Sequence, residues 1–135
     1  MTQAKPLPHP TPETQRFWDS CKSHAMELPR CRACGKFHYY PRALCPHCWS
    51  TDLEWVPASG RGTVYSFVIN HRPAPGFQEE SPYVIAVVET EEGVRIMTNL
   101  VGVDPDPAKI AVNMPVQVEY DDVSEQITLP KFRPA

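Results

Sequence analysis

The sequence predicts a mainly β protein: a short N-terminal helix, a small cysteine-bound ribbon, and then a five-stranded barrel. Three observations carry that reading. Four of the five cysteines form two Cys-x-x-Cys pairs, Cys31/Cys34 and Cys45/Cys48, with ten residues between them. Five segments rich in β-branched and aromatic residues follow Ser59. Sixteen prolines in 135 residues are too many for a helical bundle and suit short strands joined by fixed turns. That length fits one ordinary domain or two small ones. The expected organisation is a lead and helix over 1–25, the ribbon over 26–58 and the barrel over 59–135.

Residues 1–10 are a Pro-rich lead without periodicity, extended and mobile unless laid on a partner. Thr11-Pro12-Glu13 reads as a helix start, with a hydroxyl N-cap, proline at the first helical position and an acid in the first turn. The helix is expected to pass through Phe17, Trp18 and Cys21 and to end near His24. Phe17, Cys21 and Ala25 fall at i, i+4 and i+8 on one narrow apolar face. So short a helix is marginal alone and must bury its aromatics. The chain's own ribbon or barrel and a partner subunit are both open as the cover. Cys21 has no spaced partner and reads as a small buried apolar residue.

The cysteine spacing is that of a zinc ribbon. Each pair caps a tight turn whose N–H groups point at the sulfurs, and two such turns close a tetrahedral four-thiolate site. Gly35 suits the positive-φ position after the second ligand, and Pro46 presets φ in the second turn. Two disulfides are the alternative, as is a ribbon without metal. His47 lies inside the second turn, where an exposed side chain is a better reading than a ligand. Met26-Glu27-Leu28 leads into the first knuckle. Phe37 to Pro41 reads as a short strand between the knuckles, and Leu53, Trp55 and Val56 alternate as a strand.

Gly60-Arg61-Gly62 opens the barrel. Its strands are expected at Thr63–Ile69, Tyr83–Glu89, Val94–Val101, Val116–Tyr120 and Ile127–Phe132. A Pro-rich loop spans Arg72 to Pro82, Thr90 to Gly93 form a hairpin turn, and one helical turn is expected around Ala108 to Ala111. Asn113 suits left-handed geometry before Met114-Pro115. The run Tyr83–Glu89 is almost continuously apolar, as a central strand would be. Five strands with a helix-like break before the fourth follow the plan of an OB-type barrel; a generic β-sandwich is the competitor, with five strands few for it.

Several stretches together resemble one family. They are Cys31-x-x-Cys34-Gly35, Tyr40-Pro41-Arg42, Cys45-Pro46-x-Cys48, Trp55-Val56, the run Ser59-Gly60-Arg61-Gly62-Thr63-Val64-Tyr65-Ser66, and Leu129-Pro130-Lys131-Phe132. The family is the zinc-ribbon/OB-fold acyl-CoA-associated proteins, also called domain of unknown function 35. The resemblance covers about Phe17 to Phe132. It implies a rubredoxin-like zinc ribbon with structural Zn²⁺, an OB fold, and a small, non-catalytic subunit. Partners implied are thiolase-like enzymes, including aldolases, or hot-dog-fold enoyl-CoA hydratases. It further implies that the OB module lies near the acyl-CoA channel and that ribbon and helix make subunit contacts; the aromatics of the short helix, Phe17 and Trp18, are the expected interface residues. The family often carries Gly where this chain has Asn113, a departure that touches a turn.

Charge and motif content weigh the function classes. Up to Ala58 there are seven Lys/Arg against five Asp/Glu, and from Ser59 onward six against eleven. Nucleic-acid binding wants a basic groove with stacking platforms. Tyr65 and Phe67 could stack bases, but an acidic barrel argues against that alternative. A closed four-thiolate site offers zinc no water, and no histidine is tied by a motif to a nucleophile; His71 beside Arg72 is the only constellation to flag. For the phosphates of CoA, Arg61 between its two glycines is the first candidate and Arg72 the second. Against Arg61 stands the reading that the glycines serve a bulge and the arginine is solvated. No stretch approaches the ~18 apolar residues of a membrane span, and no signal peptide is visible. A cytoplasmic protein with no membrane contact is expected, in a compartment that keeps thiols reduced.

Overall fold

Thr11 starts a helical turn, as its residue type suggests, but the regular helix begins four residues later, at Gln15. The computed structural model describes residues 6–135, so the first half of the Pro-rich lead lies outside the described residues. Thr11 O accepts from the N–H groups of Thr14 and Gln15 at 3.0 and 2.8 Å. Helix α1 then spans Gln15–Lys22 with Thr14 as its N-cap. Thr14 is buried, and its Oγ1 accepts from the Thr11 N–H at 2.8 Å. The helix stops in a Schellman arrangement: His24 N–H donates to Cys21 O and Ala25 N–H to Ser20 O, with His24 at φ 57°. This early stop leaves Ala25 exposed, outside the apolar face assigned to it.

The ribbon is an antiparallel pair, β1 (Glu27–Cys31) with β2 (Leu53–Pro57). The expected strand at Phe37–Pro41 is reduced to a single bridge between Arg30 and Phe37. The chain turns there so that the rings of Tyr39 and Tyr40 meet Phe17, at centroid distances of 5.6 and 6.2 Å.

Five strands form the barrel: β3 (Arg61–Asn70), β4 (Tyr83–Thr90), β5 (Arg95–Leu100), β6 (Pro115–Asp122) and β7 (Thr128–Pro134). The barrel closes in the order β3-β4-β5-β7-β6, antiparallel throughout except for the single parallel pair Leu100–Phe132 between β5 and β7. That order is an OB barrel and not a sandwich. Its core is built from Val64, Val84, Val88, Leu100, Val116 and Phe132 with their neighbours. Asn113 has φ 71°, as expected of Asn before Met114. The helical turn expected at Ala108–Ala111 is instead a hydrogen-bonded turn, with Lys109 N–H donating to Asp106 O at 2.9 Å. The apolar run of β4 buries Val84, Ala86 and Val88, while Ile85 and Val87 alternate outward, half-buried, beside exposed Met97.

A second apolar cluster joins all three parts of the chain. Phe17, Trp18 and Cys21 of α1 pack with Met26 and Leu28 of the ribbon and with Val94 and Ile96 of the barrel. Tyr120 of β6 reaches across to it, its hydroxyl oxygen accepting from the Met26 N–H at 2.8 Å. Phe17 is 0% and Trp18 7% exposed. The helix is therefore covered by its own chain, which corrects the expectation that these two rings face a partner: neither offers a surface.

The glycines around Arg61 answer to packing. A Cβ on Gly62 would lie 2.5 Å from Glu89 O and 2.9 Å from Val88 Cγ1, and one on Gly60 2.8 Å from Val118 Cγ1. The space beside both is taken by neighbouring strands, and the β-bulge lies further along, at Tyr65. Gly62→Ala should destabilise the barrel by about 1–3 kcal/mol, because a backbone oxygen blocks the added methyl. The denaturant midpoint measures this; an unchanged midpoint would show that β3 and β4 separate without cost.

Candidate functional site: a four-thiolate centre and the surface around it

The knuckles are two copies of one turn. Cys31 N–H donates to Lys36 O and Cys45 N–H to Ser50 O, both at 2.9 Å; Gly35 N–H donates to Cys31 O and Trp49 N–H to Cys45 O, both at 2.8 Å. The residue after the second cysteine is left-handed in each copy: Gly35 at φ 78° and Trp49 at φ 69°. Backbone N–H groups also face the sulfurs, from Cys34 to Cys31 Sγ and from His47 to Cys45 Sγ, each at 3.4 Å.

These turns bring the four sulfurs within 4.8 Å of one another. Cys31 Sγ lies 3.5 Å from Cys48 Sγ, and Cys34 Sγ 3.7 Å from Cys45 Sγ. A tetrahedron with metal–sulfur bonds of about 2.3 Å has edges of about 3.8 Å, so the residues present fit a tetrathiolate metal site. All five cysteines are free thiols, against the disulfide alternative. The Cys34 backbone N–H, with smaller contributions from neighbouring groups, lowers the Cys31 thiol to about 7. Although a Ser50 backbone contact favours its thiolate, the adjacent sulfurs push Cys48 up to about 12. Four thiolates this close repel, and a divalent cation is the group that relieves them.

Other expected residues fall into place individually. Cys21 is fully buried, and desolvation pushes its thiol up to about 12, as an inert core residue requires. His47 is exposed, and its Nε2 lies 3.3 Å from Phe37 O. His38 is buried with neither ring nitrogen hydrogen-bonded, and desolvation, aided by His47 and Arg42, lowers its pKa. His24 stacks on Tyr120 at 4.9 Å and its Nε2 is 3.0 Å from Asp122 Oδ1, a pairing across 98 residues that no local pattern announces.

Arg61 and Arg72 are not brought together. They stand at opposite ends of β3, roughly 30 Å apart at ~3.3 Å per residue. Arg61 is engaged by Glu91, with Nη2–Oε1 at 3.2 Å. His71 and Arg72 are both exposed at the strand's far end. The two proposed stacking rings are already occupied: the Arg95 guanidinium lies 3.8 Å over the Tyr65 ring, and Phe67 packs against the barrel core. Among the described residues, no helix is long and apolar enough to cross a membrane.

One surface feature escaped the sequence reading. Trp49 is 79% and Leu44 42% exposed, and together with Arg42, Ala43, Cys45 and Pro46 they line a shallow recess of about 380 Å³ at the ribbon tip. Laying the two Cys-x-x-Cys-x motifs side by side would have flagged it, since one ends in Gly and the other in Trp.

Comparison with known proteins places this geometry. Residues 18–54 match the family model described as ChsH2, rubredoxin-like zinc ribbon domain, and residues 55–121 that described as ChsH2, C-terminal OB-fold domain. A solved structure titled "Ltp2-ChsH2(DUF35) aldolase" is similar over 95% of this chain and 98% of that one, with a TM-score of 0.84 and 38% identity. A "Probable enoyl-CoA hydratase alpha subunit" of Thermomonospora curvata is 43% identical over 99% of this chain and 43% of its own length. The "3-oxo-4,17-pregnadiene-20-carboxyl-CoA hydratase alpha subunit" of Mycobacterium tuberculosis is 42% identical over 85% of this chain and 36% of its own length. The chain thus spans less than half the length of these two relatives. A "DUF35 domain-containing scaffold protein" of Methanothermobacter thermautotrophicus is 32% identical over 84% of this chain and 86% of its own length. Matched in both its ribbon and its barrel, the chain belongs to the DUF35 family of zinc-ribbon/OB-fold proteins.

Proposed function

We propose that this chain is a non-catalytic accessory subunit of an acyl-CoA enzyme, either a thiolase-like enzyme (thiolase or aldolase) or a hot-dog-fold enoyl-CoA hydratase. The observation that carries the reading is the near end-to-end likeness to the Ltp2-ChsH2(DUF35) aldolase chain. Relatives named as hydratase alpha subunits and a relative from Thauera aromatica named "Benzoylsuccinyl-CoA thiolase subunit BbsA", 36% identical over 54% of this chain, support the same class.

Cys31, Cys34, Cys45 and Cys48 hold Zn²⁺ in this reading. A tetrathiolate zinc is coordinatively closed, so it cross-links the two knuckles and presents no water or substrate position. A cytoplasmic setting keeps the four thiols reduced for that role. The barrel lies beside the acyl-CoA site of the partner. Any contact to CoA phosphate falls to Arg61 or Arg72 singly, since they are too far apart to share one group. Arg72 is the freer, because Arg61 is held by Glu91.

Co-expression of the chain with the acyl-CoA enzyme of the adjacent reading frame tests this. A stable complex is expected, with turnover that depends on the enzyme and is negligible for the chain alone. Separate migration of the two in size-exclusion chromatography would refute the reading. A low-salt shift assay with single-stranded DNA or RNA should show no tight binding; salt-sensitive submicromolar binding would favour the nucleic-acid alternative instead.

A further inference from the structure

Among the described residues, three besides glycine adopt positive φ: His24, Trp49 and Asn113. Two have reasons inside the chain. His24 stacks on Tyr120 and pairs with Asp122. Asn is a residue type that tolerates the left-handed region. Trp49 has no such reason. Its indole makes no hydrogen bond or ring contact among the described residues, and 79% of the residue is exposed. The first knuckle shows that the same turn closes with glycine, with the same hydrogen bonds to within 0.1 Å. A bulky residue in the left-handed region is an outlier, and here neither the backbone nor the core calls for it.

The surroundings say what kind of surface this is. Leu44, Ala43 and Pro46 extend the apolar area beside the indole. Arg42 stands on the rim, exposed and without an ion pair among the described residues. The ribbon's other arginines are engaged: half-buried Arg30 with Glu54 at 3.0 Å and exposed Arg32 with Asp52 at 3.1 Å. A tryptophan and a free arginine around an aliphatic recess have the composition of an interface anchor.

We propose that the ribbon tip, Trp49 with Leu44, Pro46 and Arg42, docks the acyl-CoA enzyme, the indole entering an apolar pocket and Arg42 meeting a carboxylate on its rim. The proposal rests on the accessory-subunit reading and names the surface that reading lacked once Phe17 and Trp18 proved to be internal. A second copy of this chain fits less well. A symmetric contact centred on the tip is confined to a handful of residues, whereas a stable interface takes about 20–30 a side. Many acids that a second copy could offer to Arg42 are engaged already: Glu91 with Arg61, Asp121 with Lys131, and Asp122 with His24. A larger enzyme surface can seat the tip as one anchor among several contacts.

Trp49→Gly separates docking from folding, because glycine is what the equivalent turn already uses. The variant should keep about one zinc per chain, melt at or above the wild-type temperature, and bind the adjacent-frame enzyme at least thirty-fold more weakly by titration calorimetry. Arg42→Glu should weaken binding further as salt is lowered. Affinity within threefold of wild type for Trp49→Gly overturns the docking surface and leaves the accessory-subunit reading standing. Loss of zinc or of the melt in that variant overturns it too, since Trp49 is then structural. If the wild type does not bind the enzyme at all, both ideas fail. Concentration-dependent dimerisation of the wild type that Trp49→Gly abolishes would assign the tip to a second copy, against the proposal.

Discussion

Cys34→Ser should lose its metal and unfold the ribbon. Cys34 is exposed, so the substitution removes ligation and little buried packing. Structural zinc is worth about 10–16 kcal/mol in small ribbon-like peptides, as large as the whole net stability of an ordinary domain, about 5–15 kcal/mol. The two strands of this ribbon contribute only five residues each. Metal analysis should therefore find about one zinc per wild-type chain and markedly less in the variant, with circular dichroism showing a lower and broader melt. Thiol titration of the native wild type gives the opposing result its chance. If all four ligand thiols react as fast as in denaturant, no metal holds them and the structural role fails.

Phe17→Ala should be the most damaging single truncation away from the cysteines. The ring is fully buried and meets Trp18, Tyr39 and Tyr40 at centroid distances of 5.1, 5.6 and 6.2 Å. Emptying such a site costs about 3–5 kcal/mol, the lost transfer energy plus the cavity. For a chain of this size the melting temperature should fall by roughly 10 °C or more. Below that temperature, affinity for an enzyme partner should be unchanged, because the ring touches only its own chain. An unaltered melt with weakened partner binding would reverse the internal assignment.

What could be read from the sequence divides by how local its cause is. The thiolate centre was legible because ligation chemistry fixes both residue type and spacing within eighteen residues. The barrel strands were legible because β-branched runs and the turns at Thr90–Gly93 and Asn113 are local signals. The destination of α1 was not. An amphipathic face shows that something covers Phe17 and Cys21, and only tertiary packing says whether that is Ile96 or another protein. The strand expected at Phe37–Pro41 failed for a related reason: the aromatic run is apolar for the sake of Phe17, not for a sheet. The glycines beside Arg61 read as room for a ligand's approach, but β4 and β6 fill the space beside them, which only the register of distant strands reveals.

The cluster that binds helix, ribbon and barrel has a consequence for how this unit is inherited. Family models divide the chain between Trp55 and the residue before it, yet Phe17, Leu28 and Ile96 lie on both sides of that line within one apolar body. A barrel severed there would bare Val94 and Ile96, and the helix and ribbon would lose the barrel side of their shared apolar cluster. Recombination that separated the halves would leave apolar surface uncovered on both fragments. The pair is a cassette that must be moved whole, and the two long hydratase alpha subunits do match it across both halves, with 99% and 85% of this chain aligned.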